Sequence, residues 1–515
     1  MIKKVCLSKG ASGTMRAALC GFAIVALLLF AAQPGMAVNF SLGGTNGKLM
    51  GYINQGVTYG VGGNEIDTKD EIQSALFQLL LEVQLDFNPQ LRFFASAGIN
   101  ADWAYPMLSD NSEWDKKQFD RSRDDLYIFS HRRDLLHEFH LTWTPGNWYF
   151  RAGKQIVVWG ETDGFRLMDQ INPLDQRRGM TDVEFETTIL PIWLIRAEYY
   201  FDLDSSWLQD LGLEFVFNPN LDFRGDEAIV PGNQNSGIWA PYVEVPLGGA
   251  YPNDFAYLGS YIQHLDRPGS TCDDDGFEYA LRIKSVIHDT LITLNAFYGR
   301  DNVPVLRAGA DAPRMGVYPG DGRFILHPHM EGKYPLMRFV GFTLTRDFDQ
   351  LYIKALGGIG PVLRVEAFYA FDNTFVTNDG RFEQYDEFRW MVGFDWKVWM
   401  RFLNPRAAFM ISPQFYHRKI RDYPGVGLNG LRDDNYQASF MINTTYFHNK
   451  LEPSFFWLRD VSTKSNMFKY QLKYEYSDKW NYTLGVLLFD GAKTGQGFEP
   501  LTNKDQVYFT IGYRF

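Results

Sequence analysis

The sharpest pattern in the chain is its final stretch, Val507-Tyr508-Phe509-Thr510-Ile511-Gly512-Tyr513-Arg514-Phe515. Every odd position is apolar or aromatic, and the even positions are Tyr508, Thr510, Gly512 and Arg514. Side chains of a strand point to opposite faces in turn, so this alternation predicts a strand with one wholly apolar face. The pattern recurs upstream. Residues 47–59 read as a first strand. Leu76 to Phe87 puts Phe77, Leu79, Leu81, Val83, Leu85 and Phe87 on one face, with Gln78, Glu82, Gln84 and Asp86 on the other. Further strands are expected at 91–103, 135–144, 148–158, 189–201, 211–217, 277–287, 290–300, 338–346, 363–371, 387–398, 407–417, 435–447, 451–459, 467–476 and 480–489. The connections alternate. Short turns such as Asn88-Pro89-Gln90, Pro145-Gly146-Asn147 and His448-Asn449-Lys450 alternate with long polar loops.

Strands of this length suit a tilted membrane crossing. An even number of them places all short turns on one side and all long loops on the other. The chain is therefore expected to be all-β: a transmembrane antiparallel β-barrel of about eighteen strands (16–18), with short periplasmic turns and long extracellular loops. The last strand resembles the closing strand of a Gram-negative outer-membrane barrel, and the resemblance implies that Tyr513 and the terminal Phe515 form an assembly signal for the barrel assembly machinery. The connection 347–362, longer than the other turns on its side, either folds into the lumen or protrudes.

Composition fits this pattern. Aromatic residues make up 16% of the 515 residues while hydrophobic residues are an ordinary 45%. No internal run approaches the roughly 20 apolar residues of a spanning helix. At the N-terminus, Lys3, Lys4, Lys9 and Arg16 precede an apolar run from Ala17 to Ala32, and Gly35-Met36-Ala37 reads as a cleavage site. Residues 1–37 are thus expected to be a cleaved signal peptide and 38–515 the barrel. Removal of four basic and no acidic residues takes the net charge from −11 to −15, which argues against a nucleic-acid partner. Cys272 is the one cysteine left, so no internal disulfide framework is expected. The composition and targeting signal point to the outer membrane of a Gram-negative cell, with outer-membrane lipid and lipopolysaccharide as its surroundings.

The charges expected to face inward nearly balance. Arg92, Arg151, Arg196, Arg282, Lys284, Arg364, Arg389, Lys397, Lys469 and Lys473 stand against Glu82, Asp86, Glu138, Glu198, Glu278, Glu366, Glu387, Asp395 and Glu475. Several are i, i+2 pairs, including Arg196/Glu198 and Arg364/Glu366, spaced ~7 Å apart on one face. They form either a ladder of structural pairs or a sieve that orients a polar solute. A barrel of this size leaves an aqueous channel, so something must set its exclusion limit. The candidate is the stretch after 148–158, where Gly160 and Gly164 permit sharp turns and Glu161, Asp163, Arg166, Asp169, Asp175, Arg177 and Arg178 alternate in sign. Segment 160–178 is expected to fold against the inner wall as a constriction lined also by Arg151, Lys154, Arg196, Glu198, Arg364 and Glu366. The competing reading leaves it on the outer surface.

Gly153-Lys154-Gln155, Trp159-Gly160-Glu161 and Ile171-Asn172-Pro173-Leu174-Asp175 resemble the signature of a proteobacterial outer-membrane family known only as a domain of unknown function. Arg196-Ala197-Glu198, Arg364-Val365-Glu366 and Tyr513-Arg514-Phe515 fit the same pattern. The resemblance implies a barrel that works beside envelope transporters of the RND type and moves hydrophobic or lipid-like cargo. Nothing in the motifs calls for a cofactor, a metal or a catalytic group. His137 and His140 fall on opposite faces of a strand and cannot chelate together. No Ser/His pair or nucleophile elbow stands out. Three readings follow: a channel for a small solute or hydrophobic compound, a component of an envelope lipid or hydrophobic-compound pathway working with an RND-type transporter, and, least supported, an outer-membrane hydrolase.

Overall fold

The computed structural model describes residues 38–61, 72–104, 135–176, 188–203, 205–226, 243–246, 255–258, 261–268, 276–311, 314–317, 324–327, 329–353, 357, 359–377, 379–425, 431–491, 497–502 and 504–515. The expected signal peptide lies outside them. Eighteen strands form one antiparallel sheet that closes on itself. They are β1 (Thr45–Gly60), β2 (Leu76–Asn88), β3 (Leu91–Asp102), β4 (Leu136–Trp143), β5 (Trp148–Gln155), β6 (Ile192–Tyr200), β7 (Leu208–Asn218), β8 (Glu278–Ile287) and β9 (Thr290–Arg300). The second half comprises β10 (Leu336–Asp347), β11 (Val362–Val376), β12 (Phe382–Val398), β13 (Phe409–Ile420), β14 (Asp434–Asn443), β15 (Leu451–Asp460), β16 (Ser465–Glu475), β17 (Trp480–Asp490) and β18 (Gln506–Arg514). Each pairs with its sequence neighbour, and β18 pairs with β1 from Tyr52↔Arg514 to Gly60↔Gln506.

Closure satisfies the backbone without water, which a membrane requires. The outward positions are apolar and open to the surroundings: Leu81 on β2, Phe139 and Leu141 on β4, Leu281 and Ile283 on β8, Leu294 on β9, Val340 and Phe342 on β10, Phe509 and Ile511 on β18. Aromatic rings gather at both ends of this belt. Trp148 packs on Phe150 (5.2 Å) and Tyr199 (4.7 Å) at the turn end, and Tyr369 on Phe371 (5.1 Å) at the loop end. This is an outer-membrane barrel in architecture, with a lipid-facing band between two aromatic girdles.

Two differences from the sequence expectation have simple causes. Two loop-end connections are tight, 377–381 and 461–464, because β11, β12, β15 and β16 run further than their alternation suggests. A register shift between Ala370 and Asn373 marks a bulge in β11, which interrupts the two-residue period there. In the connection 348–361, for which the sequence left entry into the lumen and protrusion both open, Leu351, Tyr352 and Ile353 are exposed and the Ile359 carbonyl accepts from the Trp396 indole N–H at 2.9 Å. The long loops after β7 and β9 also carry short strands, and these knit the loops together through parallel pairs such as Tyr257↔Ile325 and Ile262↔Met330.

The seam is reinforced at its lower edge. β18 covers β1 only from Tyr52 upward, and Val38–Leu42 folds back to pair with Thr45–Leu49 below it. Tyr513 packs against Trp480 at 4.7 Å. Phe515 exchanges backbone hydrogen bonds with Gly51 at 3.0 Å in each direction, and its ring lies over Gly51. A Cβ at residue 51 would stand 2.6 Å from the Leu80 carbonyl oxygen and 2.7 Å from the Phe515 ring. Gly51→Leu and deletion of Phe515 are therefore expected to lower the yield of folded barrel several-fold, read as the heat-modifiable band in outer-membrane fractions. Normal yield of both variants would show that the terminal aromatic is not part of the seam.

Candidate functional site

The chain leaves the wall at the end of β5. Gly153 has φ +134°, and a side chain there would collide with the Phe139 carbonyl and the His140 backbone, so only glycine fits. The next twenty residues turn into the lumen and close on themselves. The Asn172 side chain accepts from the Val157 N–H (2.8 Å) and donates to the carbonyls of Gln155 (3.1 Å) and Leu190 (3.0 Å). The Asp169 carboxylate accepts from the N–H groups of Trp159 (2.5 Å) and Gly160 (2.7 Å). A Cβ on Gly160 would meet Asp169 at 2.8 Å. Side chains that hydrogen-bond nearby backbone in this way replace the ladder that an irregular segment lacks. The Trp-Gly and Ile-Asn-Pro motifs thus hold the two ends of one loop.

This loop is docked on the inner wall by an apolar and a polar surface. Trp159, Leu167, Met168 and Ile171 are buried in one cluster with Leu194, Val216, Phe297, Met337, Phe339, Phe368 and Met391, all wall residues. Met168 rests where a Gly341 side chain would stand, its Cε 2.8 Å from that position. Phe165 extends the packing to Leu458, Leu487, Phe489 and Phe498 across the barrel. The polar contact centres on β11. One Glu366 oxygen accepts from the Glu161 N–H and the other from the Met168 N–H (3.1 Å). Arg364 binds the Glu161 carbonyl and bridges Asp163 and Asp395, each at 2.7 Å. Asp163 also accepts from Ser412 (2.8 Å) and Gln414 (2.8 Å) of β13, and Thr345 of β10 donates to Glu161.

Glu161, Asp163, Arg364 and Glu366 therefore meet at one clasp. Asp169 serves inside the loop. Arg166 donates to the Asn172 carbonyl and lies 3.7 Å from Asp226. Burial draws its pKa below the ordinary arginine value, against the pull of the Asp226 and Asp169 carboxylates. Asp175 sits at the loop's exit, its N–H donating to the Thr188 carbonyl (2.7 Å). Arg196 and Glu198 pair at 2.6 Å on a different stretch of wall, next to Arg151. Lys154 is not in the clasp: it shares a face with outward Phe139 and Trp193, and its ammonium donates to the Leu136 carbonyl (2.6 Å). Arg177 and Arg178 lie outside the described residues.

Several contributors were not singled out from sequence. Gln414, Ser412 and Tyr416 are ordinary inward polar positions until the loop reaches them. Glu214, with no exposed surface, and Arg418 extend the charged wall. The apolar inner band had a visible signal: Ile192-Trp193-Leu194-Ile195 and Ala367-Phe368-Tyr369-Ala370-Phe371 are continuous apolar runs, the mark of strands buried on both faces.

A cavity of about 770 Å³ opens on the turn side of the loop, lined by Asp86, Arg92, Glu138, His140, Tyr149 and Arg151 among others. A second, of about 380 Å³, lies at the loop end between Phe165–Leu167 and Arg389, Arg418, Gln437 and Asp460. Segment 156–176 thus stands between two polar vestibules.

Comparison with curated proteins finds no match. Among solved structures, the chain is similar to Pseudomonas aeruginosa OpdK with vanillate (8% identity, TM-score 0.46, covering 91% of this chain and 98% of that one). It is also similar to the outer membrane channel DcaP of Acinetobacter baumannii (10%, 0.38, 93% and 100%) and to Salmonella typhi OmpF in complex with daunomycin (9%, 0.38, 93% and 100%). Residues 19–220, which include β1 to β7 and the whole lumen loop, match the model of the family described as a protein of unknown function (DUF1302), in agreement with the resemblance read in the Trp159-Gly160-Glu161 and Ile171–Asp175 motifs.

Proposed function

We propose that the protein is an outer-membrane channel of the porin-like kind for a small solute or hydrophobic compound, with the loop 156–176 as its constriction. The observation that carries this reading is the docking of that loop inside a closed eighteen-strand barrel, on β10 to β13, between two polar cavities. A loop whose charges are clasped to opposite charges on the wall presents a fixed, narrow, polar cross-section to a solute. A second reading, a component of a hydrophobic-compound pathway beside an RND-type transporter, rests on the family resemblance alone, since the apolar inner band of Leu194, Val216, Phe297, Phe339 and Phe368 is covered by the loop.

Purified protein in planar bilayers should give stable ohmic steps, and deletion of residues 161–178 should raise their size. Equal conductance of the deletion variant and the wild type would remove the loop from the conduction path. Silence of the wild type with co-purified lipid would favour the pathway component. Arg364→Ala leaves Asp163 and Asp395 without their shared cation. Losing a partly exposed ion pair with its charge-assisted hydrogen bonds costs about 1.4 kcal/mol, so amide protection across 161–168 should fall roughly tenfold in hydrogen exchange. Unchanged protection would show that the clasp does not hold the loop.

A further inference from the structure

The wall beside the lumen loop carries an imbalance that the near-neutral total hides. On β5 to β8 the inward positions Arg151 and Arg196 are cross-strand neighbours, Arg282 lies opposite Glu214, and Lys284, opposite Gly212, reaches Glu198 with its side chain. Of the two carboxylates, Glu198 is engaged through both oxygens and Glu214 through Oε1 alone. Glu198 is held by Arg196 (2.6 Å), Lys284 (2.7 Å) and the Tyr200 hydroxyl (2.7 Å). Glu214 is held by Arg196 (2.8 Å) and the Trp159 indole N–H (3.4 Å). Among the described residues, Arg151 and Arg282 have no carboxylate within 4.0 Å, and the buried Arg282 Nε has no hydrogen-bond partner. Arg151 donates to the neutral Thr142 hydroxyl (3.1 Å). Aromatic faces flank both guanidiniums: Tyr149 lies 5.3 Å from Arg151, and Trp159 of the loop lies 6.0 Å from Arg282.

We propose that this patch is a subsite for a small organic carboxylate with an apolar or aromatic body, entered from the 770 Å³ vestibule that Arg151 and Tyr149 line. The inference rests on the channel reading and names its solute class. A guanidinium forms two parallel hydrogen bonds to a carboxylate, and its partly dehydrated setting here strengthens them. Arg151 and Arg282 are three strand spacings apart and two residues out of row, about 16 Å between backbones, so they act as successive stations for an anion rather than as one clamp. Tyr149 at the first supplies surface for its apolar part, while Trp159, buried in the packing of the loop, backs the Arg282 guanidinium from within. Arg196 and Lys284 offset the charges of Glu198 and Glu214 on the intervening wall, and Glu214 has no exposed surface.

The test is equilibrium binding to the full protein in detergent, which does not depend on conductance. Titration calorimetry at constant ionic strength with benzoate should give saturable binding, while benzyl alcohol and benzylamine should not bind. Arg151→Gln and Arg282→Gln should each weaken benzoate about tenfold, as expected for one lost charge-assisted hydrogen-bond pair. Lys473→Gln, which removes a positive charge from the distant β16, should leave binding as in the wild type. Wild-type heat modifiability of each variant checks that it is folded. Absence of benzoate binding, equal binding of benzyl alcohol, or equal affinity of Arg151→Gln, Arg282→Gln and Lys473→Gln would each overturn the subsite. Benzoate binding by a protein that gives no current would uphold the subsite and overturn the channel.

Discussion

In a membrane the backbone has no water to bond to, and that single constraint orders this molecule. It forces the sheet to close, so β18 must find β1 across the whole length of the sequence. Closure in turn fixes which side chains face lipid. Once Phe509 and Ile511 are outward, parity carries the assignment strand by strand around the ring. The stagger of a closed barrel leaves part of one edge uncovered, and the short hairpin strand Val38–Leu42 fills it. The contact of Phe515 with Gly51 belongs to the same seam.

The interior is governed by a second requirement. A lumen loop has no ladder of its own, so every polar group it buries needs a specific partner. Asn172 and Asp169 supply partners from within, and Glu366, Arg364, Gln414 and Ser412 supply them from the wall. The apolar band beneath gives the loop its packing. The loop is therefore both tightly placed and polar where it faces the vestibules, which a selective constriction needs.

Strand positions and the lipid face were legible because alternation with period two survives wherever one face meets lipid and the other water. It failed where that contrast fails. The bulge after Ala370 resets the period, and the hairpin extension of β11 and β12 rises beyond the lipid belt. The site was legible in part. The mixed charges of 161–169 and the Arg364/Glu366 pair signalled a confined electrostatic contact, and those residues do meet. Lys154 misled because its number within a motif says nothing about its face: it has outward parity and turns its ammonium to a backbone carbonyl. The local excess of cations on β5 to β8 was invisible in a count of inward charges, since it depends on which carboxylates are already bonded.

The central claim is that segment 156–176 lines the path of permeation. Asp163→Cys in a Cys272→Ser background, recorded in planar bilayers while a charged, water-soluble thiol reagent is added, tests it most directly. Asp163 stands at the clasp and keeps part of its surface open to the lumen. The account predicts a stepwise change in single-channel current as each channel is modified, with opposite effects on ion selectivity for cationic and anionic reagents. A current that does not change, although the thiol is shown to be labelled, would contradict it.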